Sequence, residues 1–231
     1  MKNSFFDHNA APGTVFNYSN MNGGLMGAMI EALSGQSVNA YMQENVFNPL
    51  EINAAYHAAL LRDTSDISNQ LTKQGKNHIN VKRALKSIKD YEDTCDPRAH
   101  TNITTDNLFI SANGLHRIIV LLENGGELDG VHILKEETVQ LMMQDQHLIP
   151  GSSVRCESLY GLSMIRVYDM PGGTWYGHQG RLQGLSSNIY FQPDTGLSVV
   201  VIANGYKRAS SVDDVVTLAR EVMEKAQELI P

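Results

Sequence analysis

Tyr18, Ser19 and Asn20 form a polar triplet where the sequence predicts the start of a helix. A serine at such a position could be a nucleophile, which requires a base within reach. That base is commonly a lysine three residues later, or a histidine held by a carboxylate. Position 22 is an asparagine, no serine of the chain has a lysine three residues later, and Ser19 is not in a Gly-x-Ser-x-Gly pattern. We therefore predict that Ser19 is not a nucleophile.

Three polar residues that could take part in chemistry also have ordinary structural interpretations. Taken alone, Tyr18 is typical of a half-buried core tyrosine, and Asn20 is typical of a helix cap. His178 lies in a segment that predicts a strand, where a histidine is usually structural. Residue types alone leave both interpretations open.

The elements that would position these residues begin with helices. Helices are predicted from the spacing of apolar residues over 38–47, 114–123 and 136–146. Before them, Asn20 or Asn22 is expected to cap a helix that Gly35 ends. Ser37 is expected to cap the helix over 38–47, which must end before Asn48-Pro49 because the residue preceding a proline disfavours helical angles.

After Pro150 the sequence favours strands rich in β-branched and aromatic residues. The predicted strands run from Tyr160 to Tyr168, Thr174 to His178, Leu185 to Phe191 and Leu197 to Ala203. Residues 193–196 predict a turn that joins the last two as a hairpin. A long helix from Val212 to Leu229 is expected to follow, capped at Ser210 or Ser211.

This order of elements predicts an α+β fold. Residues 1–150 would form a mainly helical lobe, and residues 151–231 would form antiparallel strands and a C-terminal helix. The stretch from Arg62 to Asn107 is polar and contains several lysines. We expect those lysines to lie on a solvent-exposed face and not to form a binding patch.

Three longer segments resemble the serine β-lactamase-like family, which includes class C β-lactamases, D-alanyl-D-alanine carboxypeptidases and related esterases. They are PGTVFNYSNMNGGLMGAMIEALSGQSVNAYMQENVFNPL, ISANGLHRIIVLLENGGELDGVHILKEETVQLMM and GHQGRLQGLSSNIYFQPDTGLSVVVIANG. They occur in the family's order and extend from residue 12 to residue 205. The resemblance implies a β-lactamase/transpeptidase-like fold with a helical lobe, an antiparallel sheet and a flanking C-terminal helix.

The resemblance also implies catalytic roles for Tyr18, Asn20 and His178. Tyr18 and Asn20 match the family's Tyr-x-Asn element, in which the tyrosine takes the serine proton and returns it to the leaving group. The asparagine there hydrogen-bonds the substrate or orients a lysine. His178 matches the first residue of the Lys-Thr-Gly or His-Thr-Gly strand. A phenol has an ordinary pKa of about 10 and acts as a base near neutral pH only beside positive charge.

The same strand implies substrate-binding roles for Gln179, Gly180 and Arg181. Gln179 stands where the family commonly has a threonine. Gly180 lets a substrate lie close against the strand edge. The backbone N–H of Arg181 would donate to an oxyanion.

The family's nucleophile belongs to a Ser-x-x-Lys pattern upstream of the Tyr-x-Asn element, and these 231 residues contain no such pattern. We therefore expect the N-terminal part of the family fold to be missing and the chain to be inactive by itself. Two alternatives stay open: a non-catalytic ligand-binding homologue, and an enzyme completed by another chain that carries Ser-x-x-Lys.

Composition excludes several other functional classes. The net charge of −7 argues against nucleic-acid binding, which usually needs a basic face. No apolar run approaches the roughly 18 to 20 residues that span a membrane. The eight histidines show no metal-ligand spacing, so neither a metal nor a cofactor is predicted. Cys95 and Cys156 form no Cys-x-x-Cys pattern; two free thiols are expected, and a single disulfide between them stays an open alternative.

The expected partner is a small-molecule or peptide substrate. The N-terminal residues show no secretory-signal pattern, and the sequence assigns no compartment, although members of the family are often extracytoplasmic. Without the family's N-terminal strands and helix, one sheet edge and an apolar stripe of the last helix would be uncovered. The stripe contains Val215, Leu218, Val222 and Leu229. We therefore expect a homo-oligomer that forms through this edge or helix.

Overall fold

The computed structural model describes residues 10–72, 74–79, 81–86, 103–146, 149–150, 159–168, 170, 172–182, 184–205, 211–212 and 215–229. Helices and antiparallel strands both contribute, so the predicted α+β fold is confirmed. In this described part, no helix is long and apolar enough to cross a bilayer. Cys95, Cys156 and Ser210, on which sequence predictions depend, lie outside the described residues.

Seven α-helices occur in the described residues. They are α1 (Asn20–Ser34), α2 (Val38–Met42), α3 (Val81–Lys86), α4 (Ile103–Asp106), α5 (Ala112–Glu123), α6 (Glu136–Met143) and α7 (Thr217–Gln227). A π-helical turn over Gln43–Phe47 extends α2, and a short 3₁₀ helix spans Ala58–Leu60. The helices predicted over 38–47 and 114–123 are confirmed, whereas α6 ends at Met143 because Gln144 has an extended backbone.

The first helix begins at a different cap from the one predicted. Ser19 is the N-cap of α1, because its backbone is extended and its side chain accepts the N–H of Met21 at 3.2 Å. Asn20 is already the first helical residue, so the expectation that Asn20 or Asn22 caps the helix was wrong. Gly35 ends α1 as predicted, with a left-handed φ of 71° that glycine adopts without strain.

The strands of the described residues are numbered in chain order. They are β1 (Val15–Phe16), β2 (Gln70–Leu71), β3 (Asn77–Ile79), β4 (Glu127–Leu128), β5 (Val131–His132), β6 (Ile149–Pro150), β7 (Leu159–Tyr160), β8 (Ile165–Val167), β9 (Trp175–Leu182), β10 (Leu185–Gln192), β11 (Leu197–Asn204), β12 (Ser211–Val212) and β13 (Val215–Val216). The main sheet has the order β11-β10-β9-β8-β7 and is antiparallel throughout. The turn over residues 193–196 joins β10 and β11 as a hairpin, as predicted.

Two predicted elements differ in the structure. The strand expected from Tyr160 to Tyr168 is divided into β7 and β8 by a turn in which Ser163 has a φ of 57°. The last helix begins at Thr217 and not at Val212, because the valines before it form the pair β12 and β13. β-Branched residues favour strands over helices, and Ser211 therefore lies in a strand and not at a helix cap.

The main sheet is packed between helices on its two faces. Alternate residues of β9 and β10, such as Trp175 and Tyr190, are buried in a cluster that also contains Met223 of α7. The intervening residue Phe191 is buried with Ile119 of α5. This period-two alternation fixes which strand residues face the helical part of the chain. In the polar stretch that precedes α4, Lys76 and Lys82 are exposed, in keeping with the predicted solvated face.

Candidate active site

A cavity of about 590 Å³ lies where the start of α1, helix α4 and the strands β9 and β10 meet. Tyr18, Asn20 and His178 all line it, and so do Gln179, Gly180 and Arg181. The structure therefore brings together all six residues that the family resemblance singled out. Their catalytic and binding roles stay predictions.

Helix α4 fixes the position of the Tyr18–Asn20 segment. The hydroxyl of Thr104 donates to the backbone oxygen of Gly23 at 2.7 Å, and that of Thr105 donates to the backbone oxygen of Asn20 at 3.3 Å. A side chain at Gly27 would collide with Thr104, since an added Cβ would lie 2.7 Å from its methyl group. Glycine at this position therefore allows α1 and α4 to approach closely.

An aromatic group holds Tyr18 at the cavity wall. The rings of Phe16 and Tyr160 are stacked with centroids 4.4 Å apart. Tyr18 contacts Tyr160 on one side and His178 on another, with both centroid distances at 6.2 Å. Tyr18 lines the cavity and remains about half exposed, while its ring is oriented by these neighbours.

His178 lies in the middle of β9, not at its end as the sequence predicted. The strand continues to Leu182, because β9 pairs with β10 as far as Leu182 opposite Leu185. The His178 Nδ1 lies 2.7 Å from the backbone oxygen of Gln179. A carbonyl oxygen only accepts hydrogen bonds, so this contact places a proton on Nδ1. The lone pair of the neutral ring is then on Nε2.

The rest of this strand forms the cavity wall beside His178. Ser187 of β10 is paired with Gly180, and its Oγ lies 2.6 Å from where a Cβ on Gly180 would be. The Ser187 hydroxyl therefore occupies the space that a side chain at position 180 would fill. Arg181 Nε donates to Gln179 Oε1 at 3.0 Å, which orients the only permanently cationic side chain among the described lining residues.

Several lining residues were not identified from the sequence. They are Thr104, Thr105 and Asp106 of α4, Tyr160 of β7 and Ser187 of β10. Each is an ordinary polar or aromatic residue in its local segment, and no spacing pattern connects it with Tyr18. Within the described residues, no group of three or more His, Cys, Asp or Glu side chains could hold a metal ion.

Solved structures share this fold at low sequence identity. An octameric penicillin-binding protein homologue from Pyrococcus abyssi is 22% identical with a TM-score of 0.64, over 85% of this chain and 41% of its own. A D-stereospecific amidohydrolase from a Streptomyces species is 19% identical with a TM-score of 0.60, over 84% and 52% respectively. A D-amino acid amidase from Ochrobactrum anthropi, solved with D-phenylalanine, is 13% identical with a TM-score of 0.62, over 92% and 57%.

The chain thus spans about half the length of these solved relatives. A search among curated proteins found no match. The family model described as Beta-lactamase matches residues 7–224, which is nearly the whole chain. The fold is β-lactamase/transpeptidase-like, as the sequence predicted. The chain belongs to the β-lactamase family.

Proposed function

We propose that these residues form the proton-transfer wall of a serine hydrolase site that works through an acyl-enzyme. The observation that carries this proposal is the convergence of Tyr18, Asn20 and His178 on one cavity, with the Tyr18 and His178 rings 6.2 Å apart. His178 lies on a strand that is far in the sequence from the segment that contains Tyr18 and Asn20. A shared reaction would explain why a phenol, an amide and an imidazole lie together at one cavity.

In the proposed reaction, Tyr18 as the phenolate accepts the hydroxyl proton of a serine and becomes a neutral phenol as that serine attacks the substrate carbonyl. The backbone N–H of Arg181 donates to the oxyanion that forms. Tyr18 then gives its proton to the leaving group as the acyl bond breaks. Water then attacks the ester that joins the acyl group to the serine. Tyr18 accepts a proton from this water and returns it to the serine oxygen as the acyl group leaves. Asn20 donates a hydrogen bond to the substrate or to a reacting group, and His178 accepts one at Nε2.

The nucleophile is proposed to come from a Ser-x-x-Lys segment that is not among these 231 residues. That segment belongs either to a longer form of this protein or to a partner chain. Arg181 is the only permanent cation that lines the described cavity, and the proposed lysine would supply positive charge beside Tyr18. Tested alone, the 231-residue chain is therefore expected to be inactive.

The proposed substrate is a β-lactam, a D-alanyl peptide or a small ester. The names of the solved relatives, which include a D-stereospecific amidohydrolase and a D-amino acid amidase, support an amide or related acyl compound. Gln179 would contact the substrate with a carboxamide where the family commonly has a hydroxyl. We expect this difference to weaken recognition of a substrate carboxylate, so that a Gln179→Thr variant should recognise the carboxylate better than the original chain.

A non-catalytic, ligand-binding role is the second candidate. It is favoured by a cavity of about 590 Å³ in a chain that contains no Ser-x-x-Lys pattern. In that role the same wall would hold an acyl compound or peptide without acylation.

Labelling with a fluorophosphonate separates the two candidates. The gene would be expressed together with the DNA that flanks it, and labelled serines would be identified by mass spectrometry. Labelling of a Ser-x-x-Lys serine that falls at least about 100-fold in Tyr18→Phe supports the catalytic role. Tyr41→Phe, an ordinary tyrosine of α2, is the matched control. Labelling that Tyr18→Phe and His178→Ala leave unchanged would contradict the proposal.

Ligand binding is measured separately with ampicillin and D-alanyl-D-alanine by ligand-observed NMR on the 231-residue chain. Both candidate functions predict saturation transfer that is lost in His178→Ala and kept in His132→Ala, which changes an exposed histidine of β5. Absence of transfer in the unmodified chain would reject the ligand-binding role.

A further inference from the structure

Asp106 gives the cavity a negative charge that the proposed reaction does not use. Its carboxylate is the only one among the described lining residues, and Arg181 supplies the opposite charge. The remaining lining side chains are mostly aliphatic, aromatic or uncharged polar groups. In cavities of this kind, a few polar groups usually fix the orientation and the choice of ligand. Asp106 is therefore a candidate for a residue that determines specificity.

The packing of α4 fixes where Asp106 lies. It is the last residue of α4, a helix whose first residue, Ile103, is buried. The hydroxyl of the preceding Thr105 donates to the backbone oxygen of Asn20 at 3.3 Å. The backbone that carries Asp106 is thus attached to the start of α1, on the wall of the cavity opposite the main sheet.

The fold uses little of the hydrogen-bonding capacity of this carboxylate. Asp106 Oδ1 accepts the side-chain N–H of its neighbour Asn107 at 2.9 Å, and within the described residues no cation pairs with Asp106. A carboxylate offers about four acceptor positions. Arg181 donates its Nε–H to Gln179, so the two opposite charges of the cavity do not form an ion pair with each other. The exposed carboxylate stays accessible to a ligand.

We propose that Asp106 binds an ammonium group of the substrate, so that the site prefers acyl compounds that carry a free amine. The preference depends on the proposed function, because it requires that the cavity hold an acyl compound. A charge-assisted hydrogen bond between ammonium and carboxylate is about twice as strong as a bond between neutral groups. A ligand without the amine would remove water from the carboxylate and return no equivalent bond.

The positions of the two charges agree with such a ligand. An ammonium group at Asp106 would lie on the wall formed by α4. The carbonyl group of the same ligand would then face the backbone N–H of Arg181 on β9, whose guanidinium is held by Gln179.

A metal ion is a less suitable cation for Asp106. It would need several oxygen or nitrogen ligands. In the part of the chain that the structure describes, no group of three or more His, Cys, Asp or Glu side chains could supply them. An organic ammonium group needs only one carboxylate, so it matches what the cavity offers.

The first test compares D-alanyl-D-alanine with propanoyl-D-alanine, which lacks only the amino group. Ligand-observed NMR titrations on the 231-residue chain should give at least about ten-fold tighter binding of D-alanyl-D-alanine. Asp106→Asn keeps the shape of the side chain and the bond from Asn107, and it should abolish this difference. The matched control is Asp66→Asn, which changes an exposed carboxylate that does not line the cavity and should keep the difference.

The second test reverses the charge. Asp106→Lys should bind propanoyl-D-alanine more tightly than D-alanyl-D-alanine, because the introduced ammonium group repels that of the ligand. A merely structural role of Asp106 would weaken both ligands alike. Circular dichroism of every variant establishes that it is folded.

The outcomes separate this preference from the proposed function. Equal affinity for the two ligands, with binding still lost in His178→Ala, would overturn the preference and leave the proposed function intact. A difference that persists in Asp106→Asn would also overturn it, because another group would then bind the ammonium. Absence of binding of either ligand would reject the preference together with the ligand-binding role, while fluorophosphonate labelling still tests the catalytic role.

The same titrations on protein expressed with the flanking DNA give a last check. The preference for D-alanyl-D-alanine should persist in any longer form. If it is present in the 231-residue chain and absent from the longer form, a group of the added segment neutralises Asp106, and the assignment to a substrate ammonium is overturned.

Discussion

Gly177 and Gly180 lie on the same strand as His178, yet a side chain would meet different obstacles at the two positions. A Cβ on Gly177 would lie 1.9 Å from the backbone oxygen of Ile189, which cannot move without displacing β10. A Cβ on Gly180 would lie 2.6 Å from the Ser187 hydroxyl, which can rotate away. Glycine at 177 is therefore required by the sheet, and glycine at 180 shapes the cavity.

Alanine substitutions test this difference. Gly177→Ala should lower the free energy of unfolding by about 3 kcal/mol or more, whereas Gly180→Ala should lower it by about 1 kcal/mol or less. Urea unfolding measures both values. Adding Ser187→Ala should restore the free energy of unfolding of the Gly180→Ala variant but not that of the Gly177→Ala variant. Equal losses of unfolding free energy in the two glycine variants would show that the contact with the Ile189 backbone oxygen is not the main cause of the loss in Gly177→Ala.

His57 gives a prediction about pH. Burial lowers the pKa of His57 below its ordinary value of 6.5, and its Nδ1 accepts the N–H of Ala59 at 3.1 Å. The folded state thus favours the neutral ring, while the unfolded chain binds a proton more readily below pH 6.5. The stabilising contribution is therefore fully present above that pH and is lost as the pH falls through the lower, folded-state pKa.

His57→Asn keeps a hydrogen-bond acceptor at this position but does not titrate. The free energy of unfolding of the original protein should fall relative to this variant as the pH decreases below about 6.5. Above about pH 7.5 the difference between the two proteins should stay constant. Denaturant titrations at several pH values measure it, with His132→Asn as the control for loss of a histidine. A difference in unfolding free energy that does not vary with pH would contradict a lowered pKa of His57 in the folded state.

At the scale of elements, α7 and the sheet stabilise each other through one face of the helix. Met223 is fully buried against Trp175, Tyr190 and Val199, whereas its neighbour Val222 lies on the outer face and is 38% exposed. The two residues therefore test whether α7 is held by its inner face. Val222 and Leu229 of the apolar stripe predicted for the C-terminal helix are exposed, whereas Ala219 and Met223 form the packed face.

Met223→Ala should lower the free energy of unfolding by about 2–5 kcal/mol, because it removes buried methylene groups and leaves a cavity. Val222→Ala should change it by less than about 1 kcal/mol. Trp175 is the only tryptophan and is fully buried, so its fluorescence reports unfolding of this layer directly. Similar losses in both variants would mean that α7 packs with a different face from the one described.

At the scale of the whole molecule, the proposed active site combines Tyr18, Asn20 and His178 with a nucleophile that is not among these 231 residues. The 231-residue chain should show no hydrolysis of nitrocefin or p-nitrophenyl esters above background, because loss of the nucleophile in a serine hydrolase costs about a millionfold in kcat. Steady-state assays and intact-mass measurements after exposure to a β-lactam check this expectation. An acyl adduct on a serine such as Ser4 or Ser19 would disprove it and identify another nucleophile.

The sequence by itself determined the local elements well. Apolar spacing, Gly35 and Ser37 located the end of α1 and the start of α2, and residues 193–196 located the hairpin. These features depend on backbone preferences and side-chain periodicity within a few residues. The six candidate site residues were also named from the sequence, but through a family resemblance and not through their spacing.

Only the tertiary structure decided which distant residues meet. Tyr160, Thr104 and Ser187 line the cavity because β7, α4 and β10 converge there, and nothing in their own segments indicates it. How much of α1 is exposed is likewise a property of packing, since Leu25 and Leu33 are exposed although both are apolar. Contacts between distant segments depend on how whole elements pack together, and that information is not contained in any single segment.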